Sequence, residues 1–266
     1  MRILMTGGTG TIGSKFQLPR SNFDLDLNDE TKVQKWVTTN KSKSNRLVHL
    51  AAVVGEQQVQ KNLDYSYKVN VESTIKLGEL AIESGIEKFF YISTSHVYKS
   101  KSDPLAEEDE LLPQNQYAEQ KLQAEQGLKK VFSKNSDKLT ILRVFSVLDL
   151  GTSDYTLGGV VTKGINSKLK CEIKNASDIR DFMTPTSVAQ AIETCVITNL
   201  KGGTYNICTG VGQTIKEAVT KLLQENQLSP SNIYFEEGFS QSPKVVGSNS
   251  KVLREIPNLK DVLSFL

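Results

Sequence analysis

The feature that most constrains the fold is a glycine-rich loop close to the beginning of the chain. An apolar segment at residues 2–5 leads directly into Thr-Gly-Gly-Thr-Gly-Thr-Ile-Gly at residues 6–13, with spaced glycines at Gly7, Gly10 and Gly13. Such glycines permit a tight turn and let the backbone approach a pyrophosphate, whose charge is met by free amides at a helix N-terminus. Because a predicted strand precedes it, the loop predicts a dinucleotide-binding Rossmann unit. An ordinary strand-to-helix turn is the alternative.

Apolar strand-like runs alternate with helical patterns along the rest of the chain. The predicted strands are residues 2–5, 46–50, 88–92, 138–144 and 203–207, and the predicted helices are 29–39, 67–84, 115–130, 159–167, 187–198 and 214–225. This alternation predicts an α/β fold with a doubly wound parallel sheet that helices cover on both faces. We expect residues 1–150 to form the dinucleotide-binding domain. Residues 151–266 are expected to form a small, mixed substrate-binding lobe, with some elements returning to the core.

The first βαβ unit is shortened. Residues 14–24 are too few for both a full helix and a full strand, because a βαβ unit needs about thirty residues or more. Either the first helix or the second strand is therefore nearly absent. An acidic residue at the end of the second strand binds the ribose of NAD, whereas an arginine there accommodates the 2′-phosphate of NADP. If residues 16–19 are the remnant of that strand, Arg20 takes this place and favours NADP, which is our expectation; if Asp24 takes it, NAD is favoured.

The bulk composition argues against several classes of function. The 266 residues include 32 basic and 30 acidic side chains, and this balance gives no reason to expect nucleic acid or a membrane surface as partner. The cysteines Cys171, Cys195 and Cys208 are far apart and odd in number, so neither disulfides nor a metal site is predicted. No apolar run is long enough to span a bilayer, and the glycine loop begins too early for a signal peptide. We expect a cytoplasmic protein.

Two groups of side chains are candidates for a proton-transfer site. Tyr117 and Lys121 are four residues apart in a predicted helix and therefore share a face. An ammonium beside a phenol lowers the phenol pKa from about 10, so Tyr117 can exchange a proton while hydride passes to or from a nicotinamide. The run Ser93-Thr94-Ser95-His96 ends a predicted strand, where open α/β sheets bind ligands. The alternatives are an exposed helix face for the pair and a Ser/Thr cap for the run.

In this order, the motifs resemble those of the extended short-chain dehydrogenases, which comprise nucleotide-sugar epimerases, dehydratases and reductases. Besides the glycine loop, the resemblance rests on His49-Leu50-Ala51-Ala52, Asn70-Val71-Glu72-Ser73-Thr74, Ile92-Ser93-Thr94-Ser95-His96-Val97-Tyr98 and Tyr117-x-x-x-Lys121. It continues through Leu142-Arg143-Val144-Phe145, Arg180-Asp181-Phe182-Met183, Thr204-Tyr205-Asn206-Ile207 and Ser250-Lys251. It therefore covers nearly the whole chain.

The resemblance implies a catalytic set. Thr94 matches the catalytic Ser/Thr, Tyr117 the acid/base, and Lys121 the lysine that also binds the nicotinamide ribose. His96 falls where some members carry a further acid/base, although a histidine without a catalytic role is equally compatible with this position. His49, inside an apolar strand, is expected to be structural.

The resemblance also implies the binding residues and a homodimer. The cofactor set is Gly7, Gly10, Thr11, Ile12 and Gly13 for the pyrophosphate, Asp26 and Leu27 after the third strand for adenine, Ala51 and Ala52 for the cleft wall, and Asn70 as support of the site. On the substrate side, Ser95 lies beside Thr94, and Arg180 matches an arginine that can clamp a phosphate bidentately.

Some positions depart from the family pattern. Lys99 stands where a glycine usually follows Val-Tyr, and Phe145-Ser146 replaces the usual asparagine region. A second phosphate-binding arginine is matched by Phe235-Glu236-Glu237-Gly238-Phe239, whose carboxylates repel a diphosphate. Lys244 can supply the charge but lacks the planar fork of arginine.

The expected function is that of an NAD(P)-dependent oxidoreductase or epimerase acting on a keto-sugar, nucleotide-activated, in carbohydrate biosynthesis. The alternatives within enzymes are a sugar 4,6-dehydratase and a free sugar-acid dehydrogenase. Dehydratases usually carry an Asp-Glu pair where this chain has Ser95-His96. From another class, the alternative is a non-catalytic dinucleotide-binding redox sensor, against which the retained Tyr117 and Lys121 argue.

Overall fold

A computed structural model describes residues 1–24, 26–167, 170–229, 231–236 and 244–266. The strands are β1 Ile3–Thr6, β2 Arg20–Phe23, β3 Arg46–His49, β4 Lys88–Thr94, β5 Leu139–Val144, β6 Ser146–Val147, β7 Cys171–Ile173, β8 Ile179–Arg180, β9 Phe182–Met183, β10 Gly203–Ile207, β11 Gln213–Thr214, β12 Ile233–Phe235 and β13 Lys244–Val245. The helices are α1 Glu30–Asn40, α2 Glu56–Lys61, α3 Leu63–Tyr67, α4 Ser73–Glu83, α5 Gln116–Val131, α6 Leu157–Asn166, α7 Pro185–Ile197, α8 Ile215–Glu225 and α9 Ser250–Glu255.

Within these ranges, six strands form one parallel sheet in the order β10-β5-β4-β3-β1-β2. Alternate residues of each strand enter two separate cores, as the two-residue period of a strand requires. On one face, Leu4 packs with residues of α1, α4 and α5. On the other face, Ile3 and Met5 pack with residues of α7 and α9. The predicted doubly wound Rossmann-type sheet is therefore confirmed.

The helices that carry the site begin at ordinary sequence signals. Asn115 caps α5 because its side chain accepts a hydrogen bond from the Ala118 amide at 2.8 Å. The helix predicted over residues 67–84 contains a π-helical turn at Lys68–Glu72 before α4. Such turns often accompany functional sites, and this one contains Asn70.

The first βαβ unit lacks its helix. A single 3₁₀ turn at Gly13–Lys15 follows the glycine loop, and β2 pairs with β1 from Ile3↔Arg20 to Thr6↔Phe23. Of the two arrangements that the sequence left open, the one without the first helix is therefore correct. The assignment of residues 16–19 as the strand is wrong, because these residues form the connection into β2.

This register also corrects the placement of Arg20. Arg20 begins β2, at the end of the sheet away from the glycine loop, and its guanidinium donates to the Phe16 carbonyl at 2.7 Å. The expectation that Arg20 ends the second strand is wrong, and the argument for NADP loses its basis. Asp24, which directly follows β2 and is exposed, occupies that place.

Beyond residue 150, the chain forms smaller units beside the main sheet and returns to it at β10. The small sheets are β11-β8-β13, β12-β7 and β6-β9, in the last of which β9 pairs with β6 from just before residue 150. The loop at residues 100–114 contains the wholly buried Leu105. Its amide and carbonyl bond to Val246 and Ser248, which fixes this loop to the C-terminal part of the chain. Among the described residues, no helix has the length and apolar character needed to cross a bilayer.

Candidate active site

The glycine loop forms a cradle at the carboxyl end of the sheet. Gly7 has a φ of +72°, and a Cβ there would lie 2.6 Å from the Ala51 amide nitrogen. A Cβ on Gly13 would overlap the Gly7 carbonyl oxygen, whereas at Gly10 the nearest atom is that same oxygen at 3.4 Å. At Gly7 and Gly13 the neighbouring backbone is therefore too close to accommodate a side chain, whereas Gly10 has room for one. These residues fit a pyrophosphate that lies against bare backbone.

Polar groups stand beside this cradle at the end of β2. The Asn22 side chain lies against Gly8, and its buried Oδ1 has no hydrogen-bond partner in the part of the chain that the structure describes. Asp24 follows two residues later with an exposed side chain. A polar amide and a carboxylate next to the glycine loop fit the hydroxyl-rich ribose of a dinucleotide.

The structure corrects the setting of the predicted adenine pair. Asp26 and Leu27 follow β2, the second strand, and not a third strand as expected, because β2 comes only a few residues after the glycine loop. Asp26 accepts a hydrogen bond from the Asn28 amide at 2.9 Å. Leu27 is buried in the core with Phe23 and Val33.

The wall formed by Ala51 and Ala52 is held in place by Asn70. The Ala51 amide donates to the Thr6 hydroxyl at 3.3 Å. The Asn70 amide group bonds to both the N–H and the carbonyl of Val53, and also to Gln120 of α5 at 2.8 Å. Asn70 thereby connects the loop after β3 to the helix that carries the proton-transfer pair.

His49 is enclosed, as expected for a structural histidine. Its ring nitrogens bond to the hydroxyls of Thr6 at 2.6 Å and Thr74 at 2.9 Å. Burial, and then the positive charge of Lys121, lower the pKa of His49 to about 3. It is therefore neutral near neutral pH.

The hydroxyl run lies where β4 ends. Thr94 is the last residue of β4, and its Oγ1 accepts a hydrogen bond from the His96 amide at 3.3 Å, so the capping role expected for part of this run is present. The Thr94 hydroxyl proton remains available to a ligand, since capping uses only the oxygen. Ser95 is 1% exposed, and its Oγ has no partner within the described ranges. A buried hydroxyl without a partner can form a hydrogen bond to an oxygen atom of a bound ligand.

The Tyr117–Lys121 pair has the predicted spacing on α5 but not the predicted electrostatics. Burial raises the pKa of Tyr117 to about 12, and burial lowers the pKa of Lys121 to about 7 in spite of the favourable charge of Glu125. The Lys121 ammonium lies over the Tyr91 ring, 4.1 Å from its centre. The expected lowering of the tyrosine pKa is therefore wrong for this arrangement, because burial of the phenol raises it.

Beneath the pair lies a buried ion pair that the sequence reasoning missed. Glu125, one helical turn after Lys121, accepts two hydrogen bonds from Arg143 at 3.0 and 2.7 Å and one from Ser93 at 2.6 Å. The Arg143 guanidinium also lies 4.7 Å from the centre of the Tyr98 ring. The available signal was the four-residue spacing from Lys121, which puts Glu125 on the same buried helix face. This group fixes α5 to β4 and β5.

His96 and Arg180 lie close enough to interact electrostatically. The residue is exposed, but desolvation by its neighbours lowers the pKa of His96, and so does the positive charge of Arg180. Arg180 donates to Asp178 at 2.8 Å, and burial lowers its pKa. Lys244 of β13 pairs with Ile179 of β8, the residue before Arg180. Glu236 follows β12 and is exposed, whereas Glu237, Gly238 and Phe239 lie outside the described residues.

Comparisons with known proteins identify the family of the chain. A family model described as the NAD dependent epimerase/dehydratase family matches residues 15–208. The chain is 26% identical to the GDP-6-deoxy-D-talose 4-dehydrogenase of Aggregatibacter actinomycetemcomitans over 276 residues, covering 97% of this chain and 92% of that enzyme.

Two solved structures share the fold. The RMD protein of Pseudomonas aeruginosa, complexed with NADPH, has a TM-score of 0.81 and 20% identity, with 98% of this chain and 97% of that one covered. The UDP-glucose 4-epimerase of Thermus thermophilus, complexed with NAD, has a TM-score of 0.80 and 20% identity, with 96% and 92% covered. The family match extends over most of the chain and includes the hydroxyl run, the Tyr117–Lys121 pair and Arg180; the chain belongs to the NAD-dependent epimerase/dehydratase family.

Proposed function

We propose that this protein is an NAD-dependent oxidoreductase that interconverts a keto and a hydroxyl group on a nucleotide-activated hexose. The observation that carries the proposal is an arrangement of elements: Thr94 and Ser95 lie at the carboxyl end of β4, and β4 packs against α5, which carries Tyr117 and Lys121. The glycine loop at the end of β1, in the same sheet, fits a pyrophosphate. The talose dehydrogenase relative, whose name places its chemistry at C4 of a nucleotide sugar, supports this class of substrate.

Each residue has a definite task in the reductive direction. Thr94 and Ser95 donate hydrogen bonds to the substrate carbonyl oxygen and orient it. Tyr117 gives its phenolic proton to that oxygen as the carbon receives a hydride, and the Lys121 ammonium stabilises the phenolate left behind. A bound nicotinamide dinucleotide supplies the hydride. Residues 151–266 contribute Arg180, whose guanidinium attracts the diphosphate of the nucleotide sugar.

NAD is proposed over NADP because of the end of β2. Asp24 stands there, and its carboxylate accepts hydrogen bonds from ribose hydroxyls but repels a 2′-phosphate. This choice replaces the earlier expectation of NADP, which rested on Arg20.

The proposal is tested by following the absorbance of NADH and NADPH with 4-keto-6-deoxy sugars carried on GDP, dTDP and UDP. We expect NADH consumption with at least one of these substrates, and a loss of about 10²- to 10⁴-fold in kcat for Tyr117→Phe. Full turnover by Tyr117→Phe, or no binding of either dinucleotide to the unaltered chain, contradicts the proposal.

A second candidate is an epimerase, and His96 favours it. A histidine held neutral beside Arg180 can remove a proton from the carbon next to a carbonyl. We expect such an activity to incorporate solvent deuterium at that carbon and to lose the incorporation in His96→Gln while the ketone is still reduced. Reduction without any deuterium incorporation excludes an epimerase that works by removal of a proton through His96.

A further inference from the structure

We propose that Glu193 of α7 is a positioning residue for the dinucleotide loop, taking the place of the missing first helix and thereby setting the affinity for the dinucleotide. The inference rests on the proposed function as far as the dinucleotide is concerned. Neither the motifs nor the family resemblance assigned any role to Glu193.

The contact is specific and nearly buried. One carboxylate oxygen of Glu193, Oε1, accepts hydrogen bonds from two consecutive amides, those of Gln17 at 2.6 Å and Leu18 at 2.5 Å. Glu193 is only 7% exposed. Hydrogen bonds from amides to a carboxylate are stronger than those to a neutral acceptor, and they strengthen further away from water.

The two amides have a partner only because of Glu193. After the 3₁₀ turn, the amides of Lys15 and Phe16 bond to the carbonyls of Ile12 and Gly13 at 3.0 and 3.3 Å. A continued helix would bond the next two amides to carbonyls one turn back. Here the helix ends, and an acceptor from a distant part of the sequence replaces those carbonyls. Without it, two partly buried N–H groups would be left unpaired.

Packing transmits this contact to the cradle. Phe16 is buried together with Val188 and Ile192 of α7 in one core. Three residues before Phe16, Gly13 packs directly against the Gly7 carbonyl. The residues that Glu193 holds therefore lie only four and five positions after Gly13, and the intervening Phe16 is packed in the core. A loop held in its binding geometry binds more tightly, because the ordering cost has already been met.

The test compares three substitutions of Glu193 with a control on the same helix. Glu193→Leu keeps the volume and removes both acceptors, Glu193→Gln keeps the amide-accepting oxygen without the charge, and Glu193→Asp withdraws the carboxylate by one methylene. Gln190→Ala changes the exposed side of α7. The readouts are the dissociation constant for NADH by calorimetry, the thermal midpoint, and amide hydrogen exchange at residues 13–19.

We expect Glu193→Leu to raise the dissociation constant for NADH at least tenfold, and to speed exchange at residues 13–19, at a temperature where the protein remains folded. Glu193→Gln is expected to stay within about threefold of the unaltered chain, Glu193→Asp to lie between the two, and Gln190→Ala to change nothing. If Glu193→Leu fails to fold, Glu193→Asp and Glu193→Gln provide the comparison.

A lower thermal midpoint with an unchanged dissociation constant overturns the inference, because Glu193 would then support only the global fold. Unchanged exchange at residues 13–19 overturns it as well. If the unaltered chain binds no dinucleotide, the proposed function and the affinity part of the inference both fall, while the exchange measurement still decides whether Glu193 holds the loop.

Discussion

The ammonium of Lys121 lies 4.1 Å from the centre of the Tyr91 ring, although the partner expected from the sequence is Tyr117 on its own helix. A cation over an aromatic face away from water is stabilised by about 2 kcal/mol. This attraction, with the charge of Glu125, opposes the burial that lowers the Lys121 pKa to about 7. Tyr91 therefore helps to decide whether Lys121 is charged at the pH of catalysis.

Replacing Tyr91 is expected to move the pH dependence of the reaction. Tyr91→Leu removes the ring, so the pKa of Lys121 falls further, and the alkaline limb of the kcat profile moves to lower pH by about one unit. Tyr91→Phe keeps the ring and is the matched control; the buried Tyr91 hydroxyl has no partner among the described residues, so its loss is expected to be nearly neutral for stability. Superimposable profiles for the two variants would contradict the role of the ring.

The pH dependence of stability is expected to report on His49. Its folded pKa of about 3 lies below its ordinary 6.5, so the unfolded chain takes up a proton in this range and the folded chain does not. The stabilisation is complete above pH 6.5 and declines as the pH falls towards 3, by up to about 1.4 kcal/mol per pH unit. Urea unfolding at pH 7 and about pH 5 should show a smaller loss for His49→Gln than for the unaltered chain. Equal losses would mean that His49 titrates normally.

Cofactor choice is expected to follow Asp24. Asp24→Ser removes the carboxylate at the end of β2, so the ratio of kcat/KM for NADH to that for NADPH should fall at least tenfold. Arg20→Lys changes the opposite end of β2 and should leave the ratio unchanged. A shift caused by Arg20→Lys and not by Asp24→Ser would reinstate the NADP assignment. The measurement is initial-rate kinetics with both dinucleotides.

The buried ion pair below the site is expected to be costly to break. Glu125→Leu leaves Arg143, 1% exposed, without its counter-charge, and such changes destabilise by about 3–5 kcal/mol. Lys129 lies 3.9 Å from Glu125 but is half exposed, so Lys129→Ala should cost less than about 1 kcal/mol. Denaturant unfolding of both variants measures the difference. Comparable losses of stability in Glu125→Leu and Lys129→Ala would show that the buried pair with Arg143 contributes no more than the exposed contact with Lys129.

Long periodic elements could be predicted from the sequence, because their patterns are local. The helical pattern predicted at residues 115–130 was sufficient to place α5 to within a residue at each end, and with it Tyr117 and Lys121. The same holds for β10, whose bounds match those predicted.

Features that depend on contacts between distant residues could not be predicted. The ten residues after Gly13 contain no period that distinguishes a helix from a strand, and their path depends on an acceptor 175 residues away from Leu18. The same applies to Lys121, whose position over Tyr91 and whose pKa depend on how tightly the helix is buried. Arg20 was misplaced for this reason, since its role depended on the register of β2 with β1.

The absence of the first helix has a consequence for how the chain acquires its structure during synthesis. In an ordinary βαβ unit, the first strand and helix can assemble from local contacts soon after they leave the ribosome. Here Gln17 must wait for Glu193, which is added 176 residues later. Contacts between residues so far apart in sequence form slowly, because the loop between them must first be closed. The glycine loop is translated long before Glu193, yet we expect it to be among the last parts of the sheet edge to become rigid.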